Sequence, residues 1–193
     1  NDLGLPEGGK IPHHQSHQAG RDVDLLFYML DSRGRSIRSI ARRFNAEGLA
    51  TPVPAAASKR VHFDGQRNWY LMKSLVLNDE AHLQRVFVAE RLRKLMLDWA
   101  IEAGEPAWMI ERAGEVMCQP GVPHDDHFHV RLFCTAEDYR QGCRDSWPIY
   151  PWRRTELSRF GILDAVTAPH PQRRRKRRAR ARRRPEIGRV WCP

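Results

Sequence analysis

The stretch His124-Asp125-Asp126-His127-Phe128-His129-Val130-Arg131-Leu132-Phe133-Cys134 decides how this chain is read. From His127 onward apolar and polar residues alternate. Phe128, Val130 and Leu132 fall on one side, and His127, His129 and Arg131 on the other. Alternation with period two is the signature of a half-buried strand. Two imidazoles at i and i+2 therefore project from one face, about 6.5–7 Å apart along the chain.

Near the start, Ser16-His17-Gln18-Ala19-Gly20-Arg21-Asp22-Val23-Asp24 leads into a second alternating run. Val23, Leu25, Phe27 and Met29 line one side, with Asp24, Leu26 and Tyr28 on the other, which predicts a strand from Val23. His17 precedes Asp24 across a turn that contains Gly20. Two imidazoles and one carboxylate leave a fourth corner open, which is the pattern of a catalytic rather than a structural zinc site. A zinc ion there lowers the pKa of bound water to about 7 and polarises a carbonyl. His127 is then placed to act as the base, while His124 is available to stabilise an oxyanion or to orient that base.

An isolated histidine is more often a surface or hydrogen-bonded side chain than a ligand. His62, His82 and His170 lack ligand-type company and read as bystanders, and His13 and His14 stay open. Arg131 shares the strand face of His129 and is a candidate either for a substrate carboxylate or for an ordinary ion pair. Asp22, on the face of Asp24, is a candidate to hydrogen-bond His17 or another ligand from behind. Asp125 and Asp126 are candidates for the same service to the histidines beside them, or for plain solvation.

Composition sets the frame. The chain has 193 residues, 41% hydrophobic, with six tryptophans, enough for one domain with a real core. No stretch of about 18 apolar residues occurs in the sequence, so no spanning helix is expected. The opening residues Asn1-Asp2-Leu3-Gly4 carry neither an initiator methionine nor an apolar signal, which reads as a removed leader or an internal fragment. The formal net charge of +10 is local, because ten of the twelve residues from Arg173 to Arg184 are Arg or Lys and the remainder balances. Cys118, Cys134, Cys143 and Cys192 form no C-x-x-C pair. Cys134 and Cys143 flank a short polar segment that a disulfide can close, although reduced buried thiols would look the same.

Between the two motifs, Asp31 to Ser58 reads as a surface excursion. A helix is expected from an Asn68 N-cap, a short buried strand over Gln84–Ala89, a helix over Glu90–Ala103 ending at Gly104, and another over Pro106–Met117. After Trp152 periodicity fades. The fold class is α+β: a small antiparallel sheet carrying the zinc site, helices packed on one face, and a disordered basic C-terminal tail. The division is a peptidase domain over residues 1–152 and a low-complexity segment over 153–193.

On these residues the chain resembles the penicillin-insensitive murein endopeptidases. Their Ser-His-Gln-x-Gly-x-Asp-Val-Asp is similar to Ser16–Asp24, and their His-x-x-His-x-His-Val-Arg-Leu-x-Cys to His124–Cys134. The wider group, which takes in lysostaphin-type enzymes, D-Ala-D-Ala dipeptidases and the hedgehog fold, shares a His, six residues and an Asp, then a His or Glu two before a final His. The resemblance implies His17, Asp24 and His129 as zinc ligands, His127 as general base and His124 as a second site histidine. It places His14 in the cleft or at a second metal. The implied substrate is cross-linked peptidoglycan, cut at the amide joining D-alanine to diaminopimelate, with no acylated serine and hence indifference to β-lactams. The implied compartment is the periplasm, which favours disulfides. It covers roughly residues 1 to 145. Members carry a further segment before the first motif, so the chain reads as N-terminally truncated. No Asp-x-x-His pair for a second metal follows Asp24 at the family's spacing, so one zinc is expected and a second stays open.

The Arg-rich run supports a rival reading as a non-catalytic wall, polyanion or nucleic-acid binder. No aromatics interleave with its arginines and it has no groove-reading element, so sequence-specific nucleic-acid recognition is not expected.

Overall fold

The computed structural model describes residues 3–5, 8–12, 16–50, 60–143, 145, 149–164 and 192. His14 and the whole Arg173–Arg184 run lie outside the described residues. The chain forms two compact units, one over residues 1–132 with Cys192, the other over 133–191 with Pro193.

In the first unit, β1 (Asp22–Leu26), β2 (Met29–Asp31), β3 (Ser36–Ile37), β4 (Val61–Phe63), α1 (Gly65–Leu77), β5 (Leu83–Phe87), α2 (Glu90–Glu102), α3 (Ala107–Val116), β6 (Met117–Cys118) and β7 (His127–Leu132) follow in order. Four strands form one sheet in the order β1-β7-β5-β6, and three form another in the order β3-β2-β4. The expected antiparallel sheet is in fact mixed. β1 and β5 each pair antiparallel with β7, but β5 and β6 run parallel. The cause is the α2–α3 crossover between them, since parallel neighbours need a long connection rather than a hairpin.

Several sequence readings shift for identifiable reasons. The run from Val23 to Met29 is not one strand. It breaks at Phe27-Tyr28, and β2 joins the other sheet. Phe27 is fully buried there, its ring 4.6 Å from Phe128 and 5.1 Å from Phe63. The excursion after Asp31 contains β3 and the bridges Phe44–Ala50 and Leu49–His62. Pairings of two or three residues are too short to give a periodic signal. α1 is capped by Asp64, whose carboxylate accepts from Arg67 N at 3.0 Å, rather than by Asn68. Asn68 sits inside the helix, buried, with its amide committed to Tyr28.

The two helical expectations after the short strand hold closely. Glu90–Glu102 buries Leu92, Met96 and Ala100 at helical spacing, and Gly104 follows with φ +72°, the left-handed turn glycine tolerates. α3 spans Ala107–Val116, with Pro106 just before it and Met117 opening β6. α1, α2 and α3 pack on one another, and Trp69 and Met72 on α1, Met96 on α2 and Met109 on α3 are buried. Among the described residues no helix is long and apolar enough to cross a membrane.

In the second unit, α4 (Ala136–Arg140) starts with a capping box between Thr135 and Asp138, and α5 (Arg154–Arg159) follows a turn of 3-10 helix. Phe133, Cys134, Tyr139, Leu157 and Ile162 form its core. Helix thus continues past Trp152, although the sequence pattern fades there. Cys134 pairs with Cys143, as their spacing allowed. Cys118 pairs with Cys192, a link 74 residues long that spacing alone did not reveal.

Candidate metal centre

The β1–β7 register builds the site. Asp24 stands opposite His129, Asp22 opposite Arg131, and Leu26 opposite His127. Directly paired residues share a face with Cβ atoms roughly 4.5–5.5 Å apart. Alternation on two strands therefore delivers Asp22, Asp24, His127, His129 and Arg131 to one surface.

His17 arrives from the turn before β1. The N-terminal segment holds that turn: Gly9 N donates to Gln18 O at 2.9 Å. Gly8 packs so closely that a Cβ would stand 2.8 Å from Gln18 O, and its φ of +73° also calls for glycine. The result is a His17 that is 1% exposed.

Three ligand-type atoms converge. His17 Nε2 lies 3.2 Å from His129 Nδ1 and 3.2 Å from Asp24 Oδ1, and His129 Nδ1 lies 3.0 Å from that same oxygen. A tetrahedral zinc with bonds of roughly 2.0 Å has ligand-to-ligand edges near 3.3 Å. The triangle matches that edge on all three sides, so the donor set fits a divalent cation.

Hydrogen bonds from behind fix the His129 ring. His129 Nε2 donates to Asp22 Oδ1 at 2.9 Å, leaving Nδ1 to carry the lone pair toward the cluster. Arg131 Nε donates to the same oxygen at 2.7 Å. Of the two roles open to Arg131, the side chain is found in the ion pair. Ser16 Oγ lies 3.3 Å from His129 Nε2.

His127 and His124 border this triangle. The ligand-type atoms of His124, His127 and His129 also lie within 4.8 Å of one another, so two potential cation groups share His129. The His17, Asp24, His129 group is buried throughout, whereas His124 and His127 are half-exposed. His127 Nδ1 donates to Asp126 Oδ1 at 2.6 Å, and its Nε2 lies 3.5 Å from Asp24 Oδ1. His124 Nδ1 donates to Val122 O at 3.2 Å, and its ring meets that of His127 edge-on at 5.1 Å.

The electrostatics follow from this packing. Burial, with the neighbouring His127 and His129, lowers the His124 pKa to about 4, so its ring is neutral near pH 7. Burial also disfavours charge on His129, but the Asp22 and Asp24 carboxylates outweigh it and raise its pKa. Burial would raise Asp24, yet the His129 hydrogen bond and the charges of His127 and His17 bring it below its ordinary value. Asp126 is lowered chiefly by its hydrogen bond from His127.

Two supports were missed or only half seen in the sequence. Phe87 on β5 stands opposite His129, with its ring 5.3 Å from His129 and 5.9 Å from His124, and forms an apolar wall. Only the placement of β5 beside β7 reveals it. The loop carrying His124 is latched by α2: Arg91 donates to Asp125 at 2.5 Å and to Phe44 O at 2.8 Å. Ala89 N donates to His124 O at 2.8 Å.

A sequence profile of the family described as penicillin-insensitive murein endopeptidase matches residues 1–183. Curated proteins of that description are similar to the chain. One from Haemophilus influenzae is 26% identical over 88% of this chain and 58% of its own length. One from Klebsiella pneumoniae is 26% identical over 78% and 49%. One from Yersinia enterocolitica is 28% identical over 70% and 45%. The chain thus spans about half the length of the curated relatives it matches.

Proposed function

Because the chain belongs to the penicillin-insensitive murein endopeptidase family, we propose that it is a zinc-dependent peptidoglycan endopeptidase acting in the periplasm on D-alanyl–diaminopimelate cross-links. The observation that carries this reading is the triangle of His17 Nε2, Asp24 Oδ1 and His129 Nδ1, with sides of 3.0–3.2 Å. These three residues are the proposed zinc ligands. A zinc bound there supplies a polarised carbonyl and a water acidified to about pKa 7.

The remaining steps belong to the chain. Asp22 holds His129 in the tautomer that presents Nδ1, and Arg131 holds Asp22. His127, with Nδ1–H engaged by Asp126, keeps its Nε2 lone pair beside Asp24 and takes a proton as general base. It then delivers that proton to the leaving amine, so the amide bond breaks without an acyl-enzyme. His124, neutral and with Nδ1–H directed at Val122 O, presents a lone pair at Nε2. That arrangement leaves no proton at Nε2 for an oxyanion, and the edge-on ring contact at 5.1 Å is what orients His127. Phe87 shields the rear of the site from water.

The residues given a step in the reaction fall between His17 and Arg131, and they and His14 lie inside the proposed peptidase domain of residues 1–152. The 153–193 segment is assigned an accessory role toward anionic wall polymers, and His14 a place in the cleft or at a second metal. The two disulfides accord with an oxidising compartment.

The test is purified protein on isolated murein, with metal content measured alongside. About one zinc per chain and release of D-Ala–diaminopimelate cross-links, both lost on chelation, are expected. Undiminished cleavage in the metal-free protein would overturn the reading. Deleting residues 171–184 should leave hydrolysis in place, whereas lost hydrolysis would make the basic run part of the enzyme.

A further inference from the structure

Away from the metal centre, Tyr28, Arg67, Tyr70, Leu71 and Ser74 line a surface cleft of about 360 Å³. Tyr28 and Tyr70 are 42% and 45% exposed. One exposed aromatic on a surface needs no explanation. Two on a single cleft, beside a cation, are a different matter.

Tyr28 is held in place by an unusual commitment of buried polar groups. Asn68 is 0% exposed, yet its amide grips the Tyr28 backbone from both sides, accepting from Tyr28 N at 3.0 Å and donating to Tyr28 O at 3.0 Å. Asp64 N donates to Tyr28 O as well, at 3.0 Å. Phe27, the residue before Tyr28, is buried and packed on Phe128 and anchors the chain there. Tyr70 is steadied by Trp99, with ring centroids 5.5 Å apart at 75°. Arg67 lies 3.6 Å from Asp64 and donates to Ser36 Oγ, with its side chain still 49% exposed. The Tyr28 backbone and the Tyr70 ring are thus fixed before any ligand arrives, which lowers the ordering cost of binding.

We propose that this cleft is a saccharide subsite that holds a hexosamine ring of the glycan strand bearing the substrate peptide. This rests on the murein-endopeptidase reading. A pyranose offers an apolar C–H face to an aromatic ring and hydroxyl or acetamido groups at its edge. Tyrosine matches both with an apolar ring face and a polar tip. Among the lining residues Arg67 supplies N–H donors and Ser74, whose hydroxyl donates to Tyr70 O at 2.8 Å, supplies an acceptor, and the volume suits a small ligand.

The placement also fits. Tyr28 lies four residues beyond Asp24 on the same run of chain, so their Cα atoms are at most about 14 Å apart. A stem peptide of a few residues, at about 3.3–3.6 Å each, spans that interval between a sugar in the cleft and an amide at the metal centre.

The experiment uses two probes on the full chain, peptide-free murein glycan strands in calorimetric titration and a glycan-free cross-linked peptide dimer as substrate. The wild type is expected to bind the strands, with Tyr28→Ala and Tyr70→Phe/Arg67→Ala weakening binding by about five- to tenfold. The loss in kcat/KM on intact murein should exceed the loss on the dimer by a similar factor. Equal losses on both substrates would mean that the cleft serves the peptide, and absent or unaltered strand binding would mean that no sugar sits there; either overturns the proposal. Strand binding by wild-type protein that cleaves neither substrate would overturn the endopeptidase reading and leave the saccharide site standing.

Discussion

Asp22 Oδ1 accepts hydrogen bonds from both His129 Nε2, at 2.9 Å, and Arg131 Nε, at 2.7 Å, on the side of the imidazole away from the cation cluster. One oxygen thus ties a proposed ligand to a guanidinium on the same strand face. The carboxylate is 3% exposed and its pKa is lowered, burial being outweighed by His129 and Arg131.

Replacing Asp22 by Ala removes the group that selects the His129 tautomer. Zinc affinity should fall by roughly 10- to 100-fold, since outer-shell carboxylates have effects of that size. Competition against a chelator of known affinity measures it. Wild-type affinity in the variant would leave Asp22 with a purely structural role.

His127 and Asp126 should separate metal binding from turnover. His127→Ala is expected to keep its zinc and lose cleavage, and Asp126→Asn to keep its zinc and lose roughly 10²-fold in kcat as the His127 tautomer is freed. Metal analysis beside murein hydrolysis distinguishes the outcomes. Loss of zinc from the His127 variant would make it a ligand instead of a base.

Much of this site was legible because a strand has period two. Knowing that His127, His129 and Arg131 share a face, and Asp22 with Asp24, leaves only register to be supplied by the fold. The partners of those residues were harder to read. Phe87 becomes a wall only when β5 pairs with β7, and Arg91 becomes a latch only when α2 meets the 124–126 loop. Both are long-range facts with no local pattern. Asn68 misled because an amide that caps a helix and one that clamps a neighbouring turn look alike in sequence, and here Asp64 takes the cap. β3 and β4, at two and three residues, were beneath the reach of periodicity.

The metal-free protein should show a pH dependence traceable to His124. Its folded pKa is about 4, below the unfolded value near 6.5. Below pH 6.5 the unfolded chain takes up a proton that the folded chain refuses, so this residue lowers stability progressively down to about pH 4. His129, raised by Asp22 and Asp24, works in the opposite sense, contributing stability below 6.5 that is lost as pH rises through its folded value. His124→Gln removes only the first effect. Its stability relative to wild type should therefore rise between pH 6.5 and 4, by about 1 kcal/mol after discounting for partial solvation. Urea unfolding in chelator at the two pH values tests this, and a constant difference would contradict it.

The Cys118–Cys192 disulfide should matter to stability well beyond its local contacts. It closes a loop with a sequence separation of 74 residues, whereas Cys134–Cys143 closes one of 9. Restricting the unfolded chain favours the longer link, with stabilisation on the order of 4 kcal/mol in the chain-entropy account. Cys118→Ser should accordingly lower Tm more than Cys143→Ser does. Both cysteines of the longer pair lie in the first unit, and Cys118 pairs in register with Phe87, which backs His129. Fraying of β6 would therefore loosen the wall behind His129, a proposed ligand, and zinc affinity in Cys118→Ser should drop alongside Tm. Thermal scans and chelator competition on the two variants read both effects. An equal Tm loss with unchanged zinc affinity would show that β6 holds its place without the link.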